Sequence, residues 1–192
     1  MQTYSHFLIT AIGQTQLKRR GLAVSTTAIL VGSVLPDIPF AILTAVFMAY
    51  YTWFAPLPVT NQSVMEYLHF DLYFNDPLWI ASHNFFHAPL ILLALGILGW
   101  SVMRQQQQWG VLLFWFAVGA GLHSVIDIFT HHNDGPLLLF PLNWQLRFLS
   151  PVSYWHPDHY GLIFAPLEHL LDVVLATYLV VFWLRRRRMR LV

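Results

Sequence analysis

The chain has 192 residues, of which 57% are hydrophobic and only 10% are charged, and its mean hydropathy is +0.55. This balance lies outside that of soluble domains, so we expect a single membrane-embedded domain over residues 1–192. A formal net charge of +1 argues against a nucleic-acid partner, and the absence of cysteine excludes disulfides and thiolate metal sites. The start of the chain lacks a basic region, so we expect no cleaved signal peptide.

Apolar runs separated by basic or proline-containing turns predict an all-α, polytopic membrane protein with about four to five membrane-embedded helices. A modest helix over 3–16 is followed by apolar runs over 22–35 and 40–54, with Pro36-Asp37-Ile38-Pro39 between them. Each proline lacks a backbone N–H donor, so this second segment should be broken. In the rest of the chain we expect an interfacial loop over 55–82 and spans over 84–103 and 109–130. An outer loop over 131–166 then leads to the last span, over 167–184.

Three basic groups predict the orientation of the chain in the membrane. Lys18 to Arg20, Arg104, and Arg185 to Arg190 are assigned to the cytoplasmic side because basic residues concentrate there. The C-terminus is then cytoplasmic in a multi-pass plasma-membrane protein. The two long loops fall on the opposite side only if residues 22–54 cross the membrane once, with the segment after Asp37 bent, re-entrant or interfacial.

Ionisable side chains occur where hydrocarbon is expected. His123 and Asp127 are four residues apart on one helical face, and His83 and His87 have the same spacing. His131 continues the first series, but it begins the outer loop, where a solvated histidine is expected. A rise of about 1.5 Å per residue places the groups of separate helices roughly 18–25 Å from their basic anchors. We therefore expect one polar layer in the outer part of the membrane, formed by His6, Asp37, His87, His123, Glu168, His169 and Asp172.

Buried imidazoles and carboxylates without sulfur favour a divalent metal, with zinc ahead of manganese or iron. The metal would pair the buried charges and activate a water molecule for hydrolysis. Glu168, or a histidine outside the ligand set such as His169, would act as general acid or base. Structural alternatives remain open. Asp37 could cap the following helix, His6 could be hydrogen-bonded within the bundle, and the acidic residues near 168 could begin a helix.

Ordered motifs resemble those of the membrane-bound metal-dependent hydrolase family, the YdjM-like, LexA-binding proteins of the bacterial inner membrane. They are Ser5-His6, Gly32 to Ile38, the His83/His87 pair, Gly119 to Thr130 and Gly135 to Pro141. The segments around Asp37 and His123 also bear a fainter likeness to zinc-dependent phospholipase C. The resemblance implies a hydrolase, an inner-membrane location and the metal ligands His6, Asp37, His83, His87, His123 and Asp127. The chain departs from the family at Asn84, where an arginine is common, and so lacks a bidentate anchor for phosphate.

The leading interpretation is a metal-dependent hydrolase that acts on a phosphoester or another lipid-like substrate, with membrane lipid as its surroundings. A metal or proton carrier and a catalytically inactive scaffold are the alternatives. A di-iron membrane oxygenase is weaker, because the His131-His132 pair has no histidine two or three residues before it. A haem protein would leave the carboxylates of the same layer unexplained.

Overall fold

The structure is a computed structural model that describes residues 1–189, and those residues form helices and loops without a β-strand. Arg190, the last residue of the predicted basic anchor, lies outside the described residues. The α-helices are α1 (Thr3–Arg19), α2 (Thr26–Gly32), α3 (Asp37–Trp53), α4 (Val64–Glu66), α5 (Tyr73–Asn75), α6 (Pro77–Asn84), α7 (Pro89–Met103), α8 (Gln108–Thr130) and α9 (Gly161–Met189). A π-helical turn (Tyr67–Leu72) joins α4 to α5, and a 3₁₀ turn (Pro157–His159) precedes α9.

Up to four helical segments are long and apolar enough to cross a membrane, if each bent pair of helices counts as one span. Helix α8 and residues Gly161–Arg188 of α9 qualify as single helices. The other two are bent pairs, α2 with α3 at 46° and α6 with α7 at 44°. The chain is thus a helical membrane protein with two to four crossings, and the predicted break at Pro36 is confirmed. Helix α1, with 17 residues, is not among these segments.

The segment predicted as a loop over 55–82 contains helices, and its sequence carries the signals for them. Ser63 and Glu66 form a capping box, in which each side chain binds the other residue's backbone N–H. Asp76 accepts hydrogen bonds from two backbone N–H groups at the start of α6, where Pro77 occupies the first helical position. Aromatic residues had suggested an interface, but these local caps show where each helix begins.

Glycines allow three helices to pack closely behind the polar layer. A Cβ on Gly119 of α8 would lie 2.1 Å from the carbonyl oxygen of Ile29 in α2, and one on Gly32 would lie 2.2 Å from that of Phe116. Only glycine fits this crossing, because both obstacles are backbone atoms. Helices α7 and α8 meet in the same way at Gly99. Below the crossing, a core cluster is formed by Val24, Ala28, Ile29 and Trp115.

The basic ends of α1 and α9 lie together. The guanidinium groups of Arg19 and Arg186 are 4.8 and 4.9 Å from the ring centre of Phe182. Both arginines therefore lie at one end of the molecule, as the charge pattern predicts for a shared membrane face. The cytoplasmic assignment of that face stays a prediction.

Candidate metal centre

The start of α3, the turn between α6 and α7, and one face of α8 bring four side chains together. Asp37 is the first residue of α3 and directly follows Pro36, the last residue of the bend between α2 and α3. His87 comes from the turn between α6 and α7, and Pro89 then begins the next helix. His123 and Asp127 lie one turn apart on α8. The coordinating atoms of all four residues lie within 4.8 Å of one another.

Five distances among these atoms lie in the range found between neighbouring ligands of one metal ion. His87 Nε2 is 3.0 Å from His123 Nε2, 3.3 Å from Asp37 Oδ1 and 3.6 Å from Asp127 Oδ2. His123 Nε2 is 3.4 Å from Asp37 Oδ1 and 3.0 Å from Asp127 Oδ2. Ligand atoms about 2.0–2.1 Å from a tetrahedral zinc lie about 3.3–3.4 Å from one another. The four atoms are thus close enough together to hold one metal ion.

Backbone carbonyls orient both imidazoles towards this space. His87 Nδ1 donates a hydrogen bond to the carbonyl of His83 at 2.6 Å, and His123 Nδ1 donates to that of Ser33 at 2.9 Å. Because a carbonyl only accepts, each Nδ1 carries a proton, and in the neutral ring each Nε2 then offers a lone pair to the cluster. This is the outer hydrogen bond that metal-binding histidines commonly make.

His6, a predicted ligand, lies on the other side of Asp127. Its Nε2 is 3.0 Å from Asp127 Oδ1, whereas the four-atom group uses Oδ2. The His6 ring also stacks on His123, with 3.7 Å between ring centres. It is fully buried, and neither ring nitrogen forms a hydrogen bond of good geometry with any described residue. His6 therefore lies at the site but outside the four-atom group.

His83, the other predicted ligand, also lies beside the group and not in it. Its ring stacks on His87 at 4.3 Å between centres and meets the edges of Phe40 and Tyr73. Its Nε2 is buried without a hydrogen-bond partner within residues 1–189. The direct contribution of His83 is its carbonyl, which fixes the orientation of His87. Its role as a metal ligand stays a prediction.

Glu168 and His169, predicted as the general acid or base, face the start of α1. Glu168 is buried, and its Oε1 accepts hydrogen bonds from the Gln2 backbone N–H and the Ser5 hydroxyl, both at 2.7 Å. The His169 side chain is 56% exposed and lies 3.1 Å from the Tyr4 hydroxyl. Neither belongs to the four-residue group, and a catalytic role for them stays a prediction. Glu168 instead holds the helix turn that carries His6.

His131, which the sequence interpretation placed in solvent, is a largely buried neighbour of the centre. Its side chain is only 13% exposed, with Nε2 3.4 Å from Asp127 Oδ1 and Nδ1 3.1 Å from Asp134. Burial lowers the pKa of His131, but the carboxylates of Asp127 and Asp134 outweigh it and raise the pKa above its usual value. Burial likewise opposes the charge of Asp134, yet hydrogen bonds from His131 and Trp155 hold its pKa at about 2. The Met1 amine also donates to Asp127 Oδ1, at 2.9 Å. The i, i+4 spacing from Asp127 was the signal for His131.

Asn84, which occupies the place of the common family arginine, has a structural role. Its side chain is fully buried; Nδ2 donates to the Ile80 carbonyl and Oδ1 accepts from the Leu137 backbone N–H at 2.6 Å. This pair of hydrogen bonds attaches the outer segment to the end of α6, beside the turn that carries His87. An arginine has no acceptor for the Leu137 N–H, so it could not make the same connection.

Asp37 is the ligand through which the centre is accessible. Its side chain is 28% exposed, whereas those of His87, His123 and Asp127 are at most 5% exposed. The outer oxygen of Asp37 accepts a hydrogen bond from the Thr3 hydroxyl of α1. Any molecule that reaches the centre must therefore approach beside Asp37 and the first turn of α1.

One comparison with known proteins covers almost the whole chain. A family model described as YdjM inner membrane protein matches residues 1–191, a range that contains every residue of the centre. No curated protein and no solved structure matches the chain. The further likeness to zinc-dependent phospholipase C stays a prediction.

Proposed function

This chain belongs to the YdjM inner membrane protein family, and from that premise we propose that it is a membrane-bound, metal-dependent hydrolase. Its substrate class is a phosphoester or another lipid-like molecule with a bond open to attack by water. The observation that carries the proposal is the set of interatomic distances, 3.0 to 3.6 Å, that joins two imidazoles to two carboxylates. Such a set of buried charges inside an apolar bundle favours a bound cation over an unpaired network.

Zinc fits the donor set best. Two imidazole nitrogens and two carboxylate oxygens suit zinc, whereas manganese prefers octahedral, oxygen-rich surroundings. Iron remains the alternative metal. When bound, the cation supplies a Lewis acid that activates water as a nucleophile near neutral pH.

The protein supplies the remaining parts of the reaction. Asp37 marks the open side, where substrate and water can enter. His6 is the candidate base, because its unpartnered Nε2 lies next to Asp127 Oδ1 and its ring rests on His123. Ser5 and Glu168 set the position of His6 through the first turn of α1. Glu168 would therefore act as a positioning residue.

A structural metal site in an inactive scaffold is the second candidate, and one observation favours it. Four protein side chains would complete the coordination of a structural zinc, whereas a catalytic zinc usually keeps one position open. The hydrolase proposal therefore requires that Asp37, the exposed residue of the four, leave room for a water molecule beside the metal. A metal carrier would instead have to move the ion across the membrane of sealed vesicles.

The first experiment measures metal content in detergent-purified protein by elemental mass spectrometry. We expect one equivalent of zinc in the wild-type chain and its loss in His123→Ala and in Asp127→Ala. His69→Ala is the control, since half-buried His69 contacts the Met65 carbonyl and the Phe40 ring and is not one of the four residues of the centre. A folded wild-type sample that retains no metal after incubation with zinc would refute the site.

The second experiment separates hydrolase, scaffold and carrier. Zinc-loaded protein is assayed on soluble phosphodiester and phosphomonoester probes and on phospholipid vesicles, with His6→Gln as the variant that keeps the four ligands. Turnover that falls in His6→Gln while its zinc content is retained supports the hydrolase. Full metal occupancy without turnover on any probe supports the scaffold, and zinc accumulation inside sealed vesicles supports the carrier.

A further inference from the structure

An apolar groove of about 430 Å³ lies between α1 and the bent pair formed by α2 and α3. Its lining includes Phe7 of α1, Leu30 and Val31 of α2, and Leu35 and Ile38 at the bend. The volume falls in the range of about 300–1,000 Å³ that ligand sites occupy. It contains aliphatic and aromatic surface almost throughout, so it suits a hydrocarbon ligand.

One end of this groove lies next to the residues around Asp37, which is not itself part of the lining. Ile38 directly follows Asp37 in the chain, and Asp37 is the accessible ligand. On the facing helix, Thr3 lies one turn before Phe7 and donates its hydroxyl hydrogen bond to Asp37. Two separate elements therefore join the groove to the same carboxylate.

The groove is open sideways to the surrounding bilayer. Phe7, Val31 and Ile38 are 39%, 46% and 39% exposed although all three are apolar. The lining begins at Thr26, the first residue of α2, and continues through the bend to Ile38. The seven residues of α2 alone extend roughly 10 Å at the helical rise, which lies within the depth of one leaflet, about half of a hydrocarbon core ~30 Å thick.

We propose that this groove holds one acyl chain of a membrane lipid and that the lipid headgroup lies at Asp37. The substrate of the proposed hydrolase is then a glycerolipid drawn laterally from one leaflet, with its headgroup ester beside the centre. This assignment of substrate rests on the proposed hydrolase function, whereas the lipid site itself does not.

A larger groove on the molecule does not serve the centre. It has a volume of about 720 Å³ and lies between α7 and α8, and its lining contains none of the four residues of the centre. At about 100° per residue, Gly121 and Val125 of this lining lie on the face of α8 opposite to His123 and Asp127. Ser124 also lines it and lies between the two faces, but its hydroxyl donates to the His87 carbonyl and not to one of the four candidate ligand atoms. The smaller groove is therefore the one that adjoins Asp37, the exposed residue of the centre.

The test uses the full chain in phospholipid vesicles that contain a phospholipid with a photoactivatable diazirine on one acyl chain. Labelled positions are mapped by peptide mass spectrometry in the wild type, in Val31→Trp, which fills the groove, and in Val46→Trp. Val46 is the matched control, an exposed valine of α3, at 57%, outside the groove lining. We expect labelling concentrated on Phe7 and residues 30–38, lost in Val31→Trp and retained in Val46→Trp.

Uniform labelling of the exposed faces, including α9, or labelling that persists in Val31→Trp, would overturn the lipid site. So would a wild-type dimer that Val31→Trp converts to a monomer, because a second copy would then cover the groove. His123→Ala keeps the groove and should keep the labelling even though it loses metal. Failure of the metal centre and failure of the lipid site are thereby distinguished.

Turnover tests the substrate assignment. Val31→Trp should retain zinc and turnover of a soluble phosphodiester, while its kcat/KM for long-chain lipid falls at least about tenfold, because contacts with several methylenes are lost. Concentrated labelling without hydrolysis of any lipid would leave the lipid site standing and overturn its role as substrate site. An equal loss on soluble and long-chain substrates would also overturn that role.

Discussion

Gly119 is the position at which packing and the metal centre can be tested together. A Cβ there would lie 2.1 Å from the Ile29 carbonyl oxygen and 2.9 Å from its carbon, whereas ordinary contact begins at 3.4 Å. In Gly119→Ala, α2 must therefore move away from α8 by roughly 1.3 Å, because backbone atoms cannot rotate aside. Overpacking of this kind costs about 1–3 kcal/mol in the free energy of unfolding.

The same movement should reach the metal ligand one turn later. Ser33 follows α2 directly, and its carbonyl accepts the 2.9 Å hydrogen bond that orients His123. A displacement of about 1 Å takes this bond beyond the usual limit of about 3.2 Å. Loss of such an outer hydrogen bond typically weakens metal binding by about 10–100-fold. We expect that range for zinc in Gly119→Ala.

Gly121→Ala is the control on the same helix, because a Cβ at Gly121 meets nothing within 4 Å. It should be neutral or more stable by up to about 1 kcal/mol, since alanine is the better helix former. Unfolding in detergent micelles measures stability, and zinc competition against a chelating dye measures affinity. Equal stability and equal zinc affinity in the two variants would refute the close crossing of α2 and α8.

Three further predictions follow from other contacts. Asn84→Ala leaves the buried Leu137 N–H without its acceptor and should lower the free energy of unfolding by about 1–3 kcal/mol; unchanged unfolding would show that the outer segment is held elsewhere. Asp134→Asn removes a carboxylate that raises the His131 pKa, so an NMR titration of metal-free protein should give a lower His131 pKa, and an unchanged value would contradict the contact. Zinc affinity should fall as the pH is lowered through the histidine range, because imidazole and carboxylate ligands bind deprotonated; isothermal titration at several pH values measures this, and a pH-independent affinity would argue against histidine ligands.

Much of the candidate centre could be predicted from sequence, because its signals are local. The i, i+4 spacing of His123 and Asp127 survives in α8, and the prolines around Asp37 produce the bend that points it inward. Counting helical rise placed His87 at the same depth, and the four ligand atoms do meet. These features depend on helix geometry and proline chemistry, which act over a few residues.

Tertiary packing decided which polar side chains belong to the four-residue group and which lie beside it. Depth along a helix does not specify which way that helix faces, so the sequence could not show that the rings of His6 and His83 lie beside those of His123 and His87, outside the four-residue group. Glu168 likewise shares the depth of the centre, yet it meets the start of α1 because α9 packs there.

The sequence alone therefore determined that this is a helical membrane protein with histidine and carboxylate groups in one layer, since hydropathy and helical period are properties of the chain itself. Only the tertiary structure decided which oxygen of Asp127 faces which histidine and which ligand is accessible. Those facts depend on contacts between residues far apart in sequence, made at distances that the glycine crossings of α2, α7 and α8 set. A shift of about 1 Å in such a crossing changes a hydrogen bond or a ligand distance, and no local pattern records it.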